Sequence, residues 1–206
     1  VHVQPMDAGQ PVGPSFIFGR PEFRYSFQGW NSRHIEEFTE TSQPAYDPEV
    51  VAYEGKAEDG IEFSIEYRFR GDSIRARGEA EETVELEHPT TFWLRTRIPA
   101  TAELPPDMPM AERRRTLEGY AFEYVNTKGK DVFHDFLESL QLRGSVREAE
   151  IRGPWNPRTV YLELDEDPSH RLTLYNYSGK SLYEGFQFMQ RINLDMRSDW
   201  LELTVK

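Results

Sequence analysis

Ile61–Phe69, IEFSIEYRF, decides the fold: Ile61, Phe63, Ile65, Tyr67 and Phe69 alternate strictly with Glu62, Ser64, Glu66 and Arg68. Successive side chains of a strand point to opposite faces, so this stretch buries one face and shows the other to water. A helix would scatter the same apolar residues around its circumference, and the period of two excludes it. Gly71-Asp72 turns the chain into Ser73–Ala80, followed by Glu81–Glu87 and, after His88-Pro89, by Thr91–Ile98 (TFWLRTRI). On the N-terminal side, Glu49–Glu54 reads as the strand before it. Segments recurring about every 8–12 residues between turn signals mark antiparallel sandwiches and barrels.

The same period continues outward. Residues 1–14 are rich in Gly, Pro and Gln and read as an irregular lead-in; Ser15–Phe18 and Glu22–Gln28 read as short strands broken by Gly19-Arg20-Pro21. From Gly29 to Pro48 the chain is polar and aperiodic, with a short helix expected around Ser32–Phe38. Prolines across residues 99–116 forbid a ladder, although Met110–Leu117 suits one or two helical turns. Leu117–Val125 resumes as a strand, with Asn126–Lys130 as its turn. Asp131–Arg143 is expected to be a helix: Asp131 caps it, Phe133, Phe136, Leu137 and Leu140 form its stripe, and Gly144 ends it. Ser145–Ile151, Arg158–Leu164 and Trp200–Val205 supply late strands. The expected structure is all-β: an antiparallel β-sandwich of jelly-roll or supersandwich type, one domain over residues 1–206, with one short helix near 131–143. At the level of architecture it is similar to the β-sandwich folds common among carbohydrate-active proteins.

His170–Ile192, HRLTLYNYSGKSLYEGFQFMQRI, reads as a hairpin turning at Ser178-Gly179-Lys180. Leu172, Leu174, Leu182, Phe186 and Phe188 occupy its core face, and Thr173, Tyr175, Tyr177, Tyr183 and Gln187 the other. A three-residue loop sets Tyr175 across from Tyr183, giving a flat tyrosine platform flanked by Thr173 and Gln187. Flat aromatic faces suit the apolar C–H faces of sugar rings, so Tyr175, Tyr177, Tyr183 and Gln187 are candidate ligand contacts. The competing reading puts these tyrosines under the Asp131–Arg143 helix or a second sheet. Asn176 and Glu184 fall on the apolar face near the turn, which either opens to solvent there or holds Glu184 in a cleft as a general acid. Trp155, in Gly-Pro-Trp-Asn-Pro, is a further candidate contact, or else a plug at the end of the sandwich.

Composition limits the chemistry. Asp and Glu number 36 against 24 Lys and Arg, a formal charge of −12. Such a surface is not steered toward nucleic acid or an anionic membrane, and suits a carbohydrate or other neutral ligand, or a cationic or metal-bridged one. The apolar share is only 37%, but 13% of residues are aromatic, and each buried aromatic removes a large area from water. A packed core, not disorder, is expected. There is no cysteine, so disulfides, thiolate metal sites and cysteine nucleophiles are excluded. No run is long and apolar enough to span a membrane as a helix. Val1 in place of an initiator Met leans the expectation toward a secreted or periplasmic protein.

Motifs for catalysis are missing: no GxSxG, P-loop or GxGxxG occurs, and the histidines show no HExxH or HxH spacing. His170, with a tyrosine and Arg171 nearby, is the weak acid–base candidate, for proton abstraction from a uronate in a locally basic cleft. Asp165 and Asp167, in the acidic turn Asp165–His170, are weak Ca²⁺ ligand candidates; Pro168 and the spacing favour an ordinary solvated turn. No cofactor is otherwise expected. Arg113-Arg114-Arg115 is the one basic run. The leading expectation is a carbohydrate- or small-ligand-binding sandwich. Its rivals are a glycan-active hydrolase or lyase and a structural or adhesion module.

Overall fold

The computed structural model describes residues 1–43, 46–99, 107–126, 128–135, 140–153, 155–164, 172–176, 185–194, 197–198 and 200–206. At 30, 99, 113, 140–145, 175–176, 185–189 and 193 it describes the backbone alone. In chain order the elements are β1 (His2–Val3), β2 (Met6–Asp7), β3 (Gln10–Pro11), β4 (Phe16–Ser26), β5 (Trp30–Arg33), β6 (Ile35–Glu40), β7 (Val50–Ala57), β8 (Ile61–Arg70), β9 (Ser73–Glu82) and β10 (Thr90–Pro99). The short helix α1 (Met110–Thr116) follows, then β11 (Ala121–Val125), β12 (Asp131–Asp135), β13 (Leu140–Val146), β14 (Glu148–Arg152), β15 (Val160–Leu164), β16 (Leu172–Asn176), β17 (Gly185–Asn193) and β18 (Leu201–Val205).

The larger sheet has the order β12-β11-β14-β15-β18-β9-β8-β7-β6; the smaller has β1-β4-β10-β17-β16-β13, with β5 also on β4. All their described pairings are antiparallel. The two sheets form an antiparallel β-sandwich. Ile61, Phe63, Ile65 and Tyr67 of β8 are buried, as their alternation requires, and Phe69 packs at the core's margin. Across from them lie Phe18, Phe23, Phe92, Leu94 and Ile98 of the smaller sheet, all fully buried.

Two glycines set how closely the sheets approach. Gly78 of β9 receives the Phe92 ring, and a Cβ there would lie 2.8 Å from Phe92 Cζ. Gly19 of β4 lies against Ala76 and Tyr67, where a Cβ would come within 2.9 Å of Ala76 Cβ. The Tyr67 hydroxyl donates to the Gly19 carbonyl at 2.7 Å, tying the sheets together through a buried polar contact. Gly19 has φ +61° and marks a bulge: opposite β10 the register passes from Arg95–Arg20 to Arg97–Ile17. Phe16–Ser26 is therefore one strand, not two short ones. Pro21 is tolerated because β1 pairs only His2–Val3 with Phe16–Ile17, while β5 pairs only with Phe23–Ser26.

Several sequence expectations give way here. Residues 131–135 are strand β12, paired along its whole length with β11, not the start of a helix over 131–143. The hairpin is closed by Asn126, whose Oδ1 accepts the N–H groups of Lys128 and Lys130. Phe133 is 60% exposed, so it belongs to no buried stripe. Residues 140–146 are also strand, β13, paired with β16. A short helix gains little by itself, and sheet pairing outweighs its local propensity. Residues Ser32–Phe38, expected as helix, are divided between β5 and β6, and Phe38 stacks on Tyr53 at 4.5 Å. Only Glu81 and Glu82 of the segment Glu81–Glu87 are strand, as the end of β9.

Candidate functional site

Alternation on β8 fixes what its outward side can do. With Ile61, Phe63 and Ile65 inward, Glu62, Ser64 and Glu66 stand on the outer face of the larger sheet. Antiparallel register then aligns them with neighbours: Ser64 lies between Glu54 of β7 and Glu79 of β9, and Glu62 between Lys56 and Glu81. At the sheet edge Thr39 pairs with Glu54, and Glu37 with Lys56. These rows line an open groove of about 710 Å³, completed by Thr41 and Arg197. A narrower extension of about 120 Å³ continues past Ala52, Glu66 and Arg77.

The groove is rich in acceptors. Ser64 donates to Glu79 at 3.3 Å, and Arg197 approaches the other oxygen of Glu79 at 3.6 Å. Lys56 pairs with Glu62 at 3.1 Å; that hydrogen bond and the Glu62 charge, with Glu37 beyond, hold its ammonium above the ordinary lysine range. Arg197 is carried by the segment crossing from β17 to β18. Next to it, Ser198 anchors that segment to β9: its N–H donates to the Gly78 carbonyl and its hydroxyl accepts the Gly78 N–H, both at 2.8 Å.

Past the narrow extension stands Trp200, with the guanidinium groups of Arg77, Arg68 and Arg75 at 4.2, 4.9 and 5.1 Å from its ring. Glu66 ties Arg68 at 2.5 Å and Arg77 at 3.4 Å, and Glu202 ties Arg75 at 3.4 Å. Partial burial pushes the Glu66 carboxyl up. The hydrogen bond and charge of Arg68, then of Arg77, outweigh that and leave it below the ordinary carboxylate range.

The even-with-even parity of the β16–β17 pair holds, but Tyr175 lies across from Gln187, not Tyr183, and Asn176 across from Phe186. A three-residue turn at Ser178–Lys180 would put Tyr175 across from Tyr183 instead; residues 178–180 lie outside the described residues. Tyr177 and Tyr183 lie outside the described residues, as do His170, Glu184, Asp165 and Asp167. Thr173, placed on the rim of an open platform by the sequence, is itself buried, at 3% exposed. Trp155 is fully buried, its ring tilted by 52° against Phe16 at 5.2 Å, with its indole N–H donating to the Pro14 carbonyl at 2.7 Å. It plugs the end of the core and offers a ligand no surface. Among the described residues no three His, Asp or Glu side chains gather as a metal-ligand set.

The groove residues were missed although a signal for them exists. The turn Gly71-Asp72 pairs Arg70 with Ser73, and counting back from it aligns Ser64 with Glu79 and Glu62 with Glu81. Glu37, Thr39 and Thr41 were hidden because their segment gave no strand pattern.

No family model and no curated protein matches the chain. Among solved structures it is similar to the Slr1438 protein of Synechocystis sp. PCC 6803, with a TM-score of 0.50 and 9% identity over 97% of this chain and 86% of that chain. A galactose mutarotase related enzyme from Lactobacillus acidophilus aligns over 89% of this chain and 78% of its own, with 8% identity and a TM-score of 0.46. At this identity the first likeness speaks for the fold alone.

Proposed function

We propose that the protein binds a polyhydroxylated ligand, neutral or cationic and best matched by a saccharide, in the groove on the larger sheet. One observation carries the reading: a cavity of about 710 Å³ lined by Glu54, Glu62, Glu79 and Glu81 beside the hydroxyls of Thr39, Thr41 and Ser64. Its size suits a small ligand. Carboxylates accept hydrogen bonds from sugar hydroxyls strongly, whereas Thr and Ser can donate or accept as the ligand requires. Lys56 and Arg197 add donors at two points of the groove. The excess of carboxylates turns away anionic ligands and admits neutral or cationic ones.

Affinity electrophoresis in gels containing neutral polysaccharides, with a neutral-glycan array beside it, tests this. Wild-type protein is expected to be retained by at least one neutral glycan, and Glu54→Gln with Ser64→Ala to weaken that binding about a hundredfold, the loss of one charge-assisted and one ordinary hydrogen bond. Equal retention of the double variant, or no retention of wild type by any glycan, would remove the groove as the site. Release of reducing ends by the wild type would make the same groove an active site.

A further inference from the structure

Among its described residues the outer face of the smaller sheet is rich in arginine. On β4, Phe18, Pro21 and Phe23 are buried, leaving Arg20, Glu22 and Arg24 outward past the Gly19 bulge. On β10, Phe92, Leu94 and Ile98 are buried, leaving Trp93, Arg95 and Arg97 on the opposite side. Register brings Trp93 between Glu22 and Arg191, and Arg95 beside Arg20. Among the described residues of β4, β10 and β17 this face therefore holds five arginines and one carboxylate, in a chain with a formal charge of −12.

The arginines are held in place. Arg24 and Arg191 lie 5.8 and 5.5 Å from the Trp93 ring, which is 8% exposed. Glu22 is shared by Arg95 at 2.6 Å and Arg24 at 3.1 Å, and cannot neutralise both. The Arg95 Nε–H is buried without an acceptor. Arg20 and Arg191 are exposed. Strand geometry spaces such cations by about 5 Å between strands and about 7 Å along one. That is a grid for several anionic groups in succession.

We propose that this face binds an anionic polysaccharide, with carboxylate or sulfate groups on successive sugars meeting the arginine grid. Guanidinium forks suit both oxyanions, and sheet-borne arginines lose little freedom on engaging them. A single-stranded nucleic acid is the poorer match, because Trp93, the aromatic among the described outward residues of β4, β10 and β17, is only 8% exposed and leaves no ring face for a base to stack on. The surface is separate from the groove and does not depend on its reading.

The test is retention on immobilised polygalacturonate and on immobilised heparin, with neutral dextran and single-stranded DNA as comparators. Arg20→Gln with Arg191→Gln removes two exposed cations from the face; Lys128→Gln with Arg152→Gln makes the same charge change elsewhere. Wild type and the second variant are expected to bind at least one anionic polysaccharide and to elute with salt, and the first variant to bind about tenfold more weakly. Preference between the two matrices tells carboxylate from sulfate. The proposal is overturned by no retention at low salt, by equal losses in both variants, or by DNA binding as tight as that of the polysaccharides.

Discussion

On the smaller sheet Trp93 stands between Glu22 and Arg191; on the larger, Trp200 stands among Arg77, Arg68 and Arg75. Each tryptophan points away from the core and is walled by guanidinium groups; glutamates hold Arg24 beside Trp93 and all three arginines beside Trp200. The stacking is alike, but the surroundings differ. Around Trp93 the outward rows continue as arginine. Beyond Trp200 they pass into the Glu54, Ser64 and Glu79 row of the groove. Net charge therefore describes neither face. A formal charge of −12 is the sum of a carboxylate-lined groove, a basic face and scattered side chains, and a partner responds to the face it meets within about a Debye length.

Because the two faces share one core, breaking that core should erase the difference between them. Phe92 lies fully buried at the centre, stacked on Phe23 at 5.2 Å and seated against Gly78. Phe92→Ala is expected to cost about 3–5 kcal/mol. Urea unfolding followed by tryptophan fluorescence should show that loss, with both ligand-retention assays weakened together. Loss on one face alone would mean that the sheets hold their shapes independently.

Tyr67→Phe cuts the polar tie between the sheets and leaves the Gly19 carbonyl buried without its donor, at about 1–3 kcal/mol. It also has a pH signature. Burial, with Tyr53 adding to it, raises the Tyr67 phenol far above its ordinary value of 10.0. A folded-state value above the unfolded one gives a contribution fully present below about pH 10 and lost as pH rises beyond it. Wild type should therefore lose stability above about pH 10 more steeply than Tyr67→Phe; parallel alkaline limbs would show that the phenol is not what holds the sheets together there.

Ser198→Ala bears on the groove side alone. It leaves the buried Gly78 N–H without its hydroxyl acceptor and loosens the segment that carries Arg197. The expected cost is about 1–2 kcal/mol, with weaker groove binding and unchanged retention on polygalacturonate or heparin. Equal weakening on both matrices would deny that the segment serves one face.

What could be read from the chain depends on whether an element's pattern has one solution. IEFSIEYRF has one, because its alternation admits no helix and its turn at Gly71-Asp72 sets the next register. The β16–β17 hairpin had several. Pairing Tyr175 with Gln187 in place of Tyr183 moves the register by an even number of residues and leaves every side chain on the same face, so hydrophobic pattern does not choose between them. The observed ladder runs from Leu172–Gln190 to Asn176–Phe186, while the other edge of β17 pairs with β10 from Thr91–Asn193 to Pro99–Gly185. Asp131–Asp135 was misread because Phe133 fits a helical stripe, whereas the Asn126 turn and the open edge of β11 are tertiary facts. The arginine face is non-local in the same way. Arg95 and Arg97 show in TFWLRTRI, but Arg20, Arg24 and Arg191 join them only through the β4-β10-β17 order.

The smallest expected effect bears most directly on the contrast between the two tryptophans. Glu66 is the carboxylate that keeps Arg68 and Arg77 against Trp200, and its lowered value makes its contribution present above about pH 4.5 and lost as pH falls through the lowered value. Because the cluster is partly exposed, that contribution is about a few tenths of a kcal/mol. Glu66→Gln should lower the thermal midpoint slightly near neutral pH and flatten its decline below about pH 4.5 relative to wild type. It should also leave Arg77 facing the groove's narrow end with less compensation, so that retention by acidic glycans rises above that of wild type. If the acid limbs coincide, Arg68 and Arg77 are held by Trp200 itself, and Glu66 is incidental to that cluster.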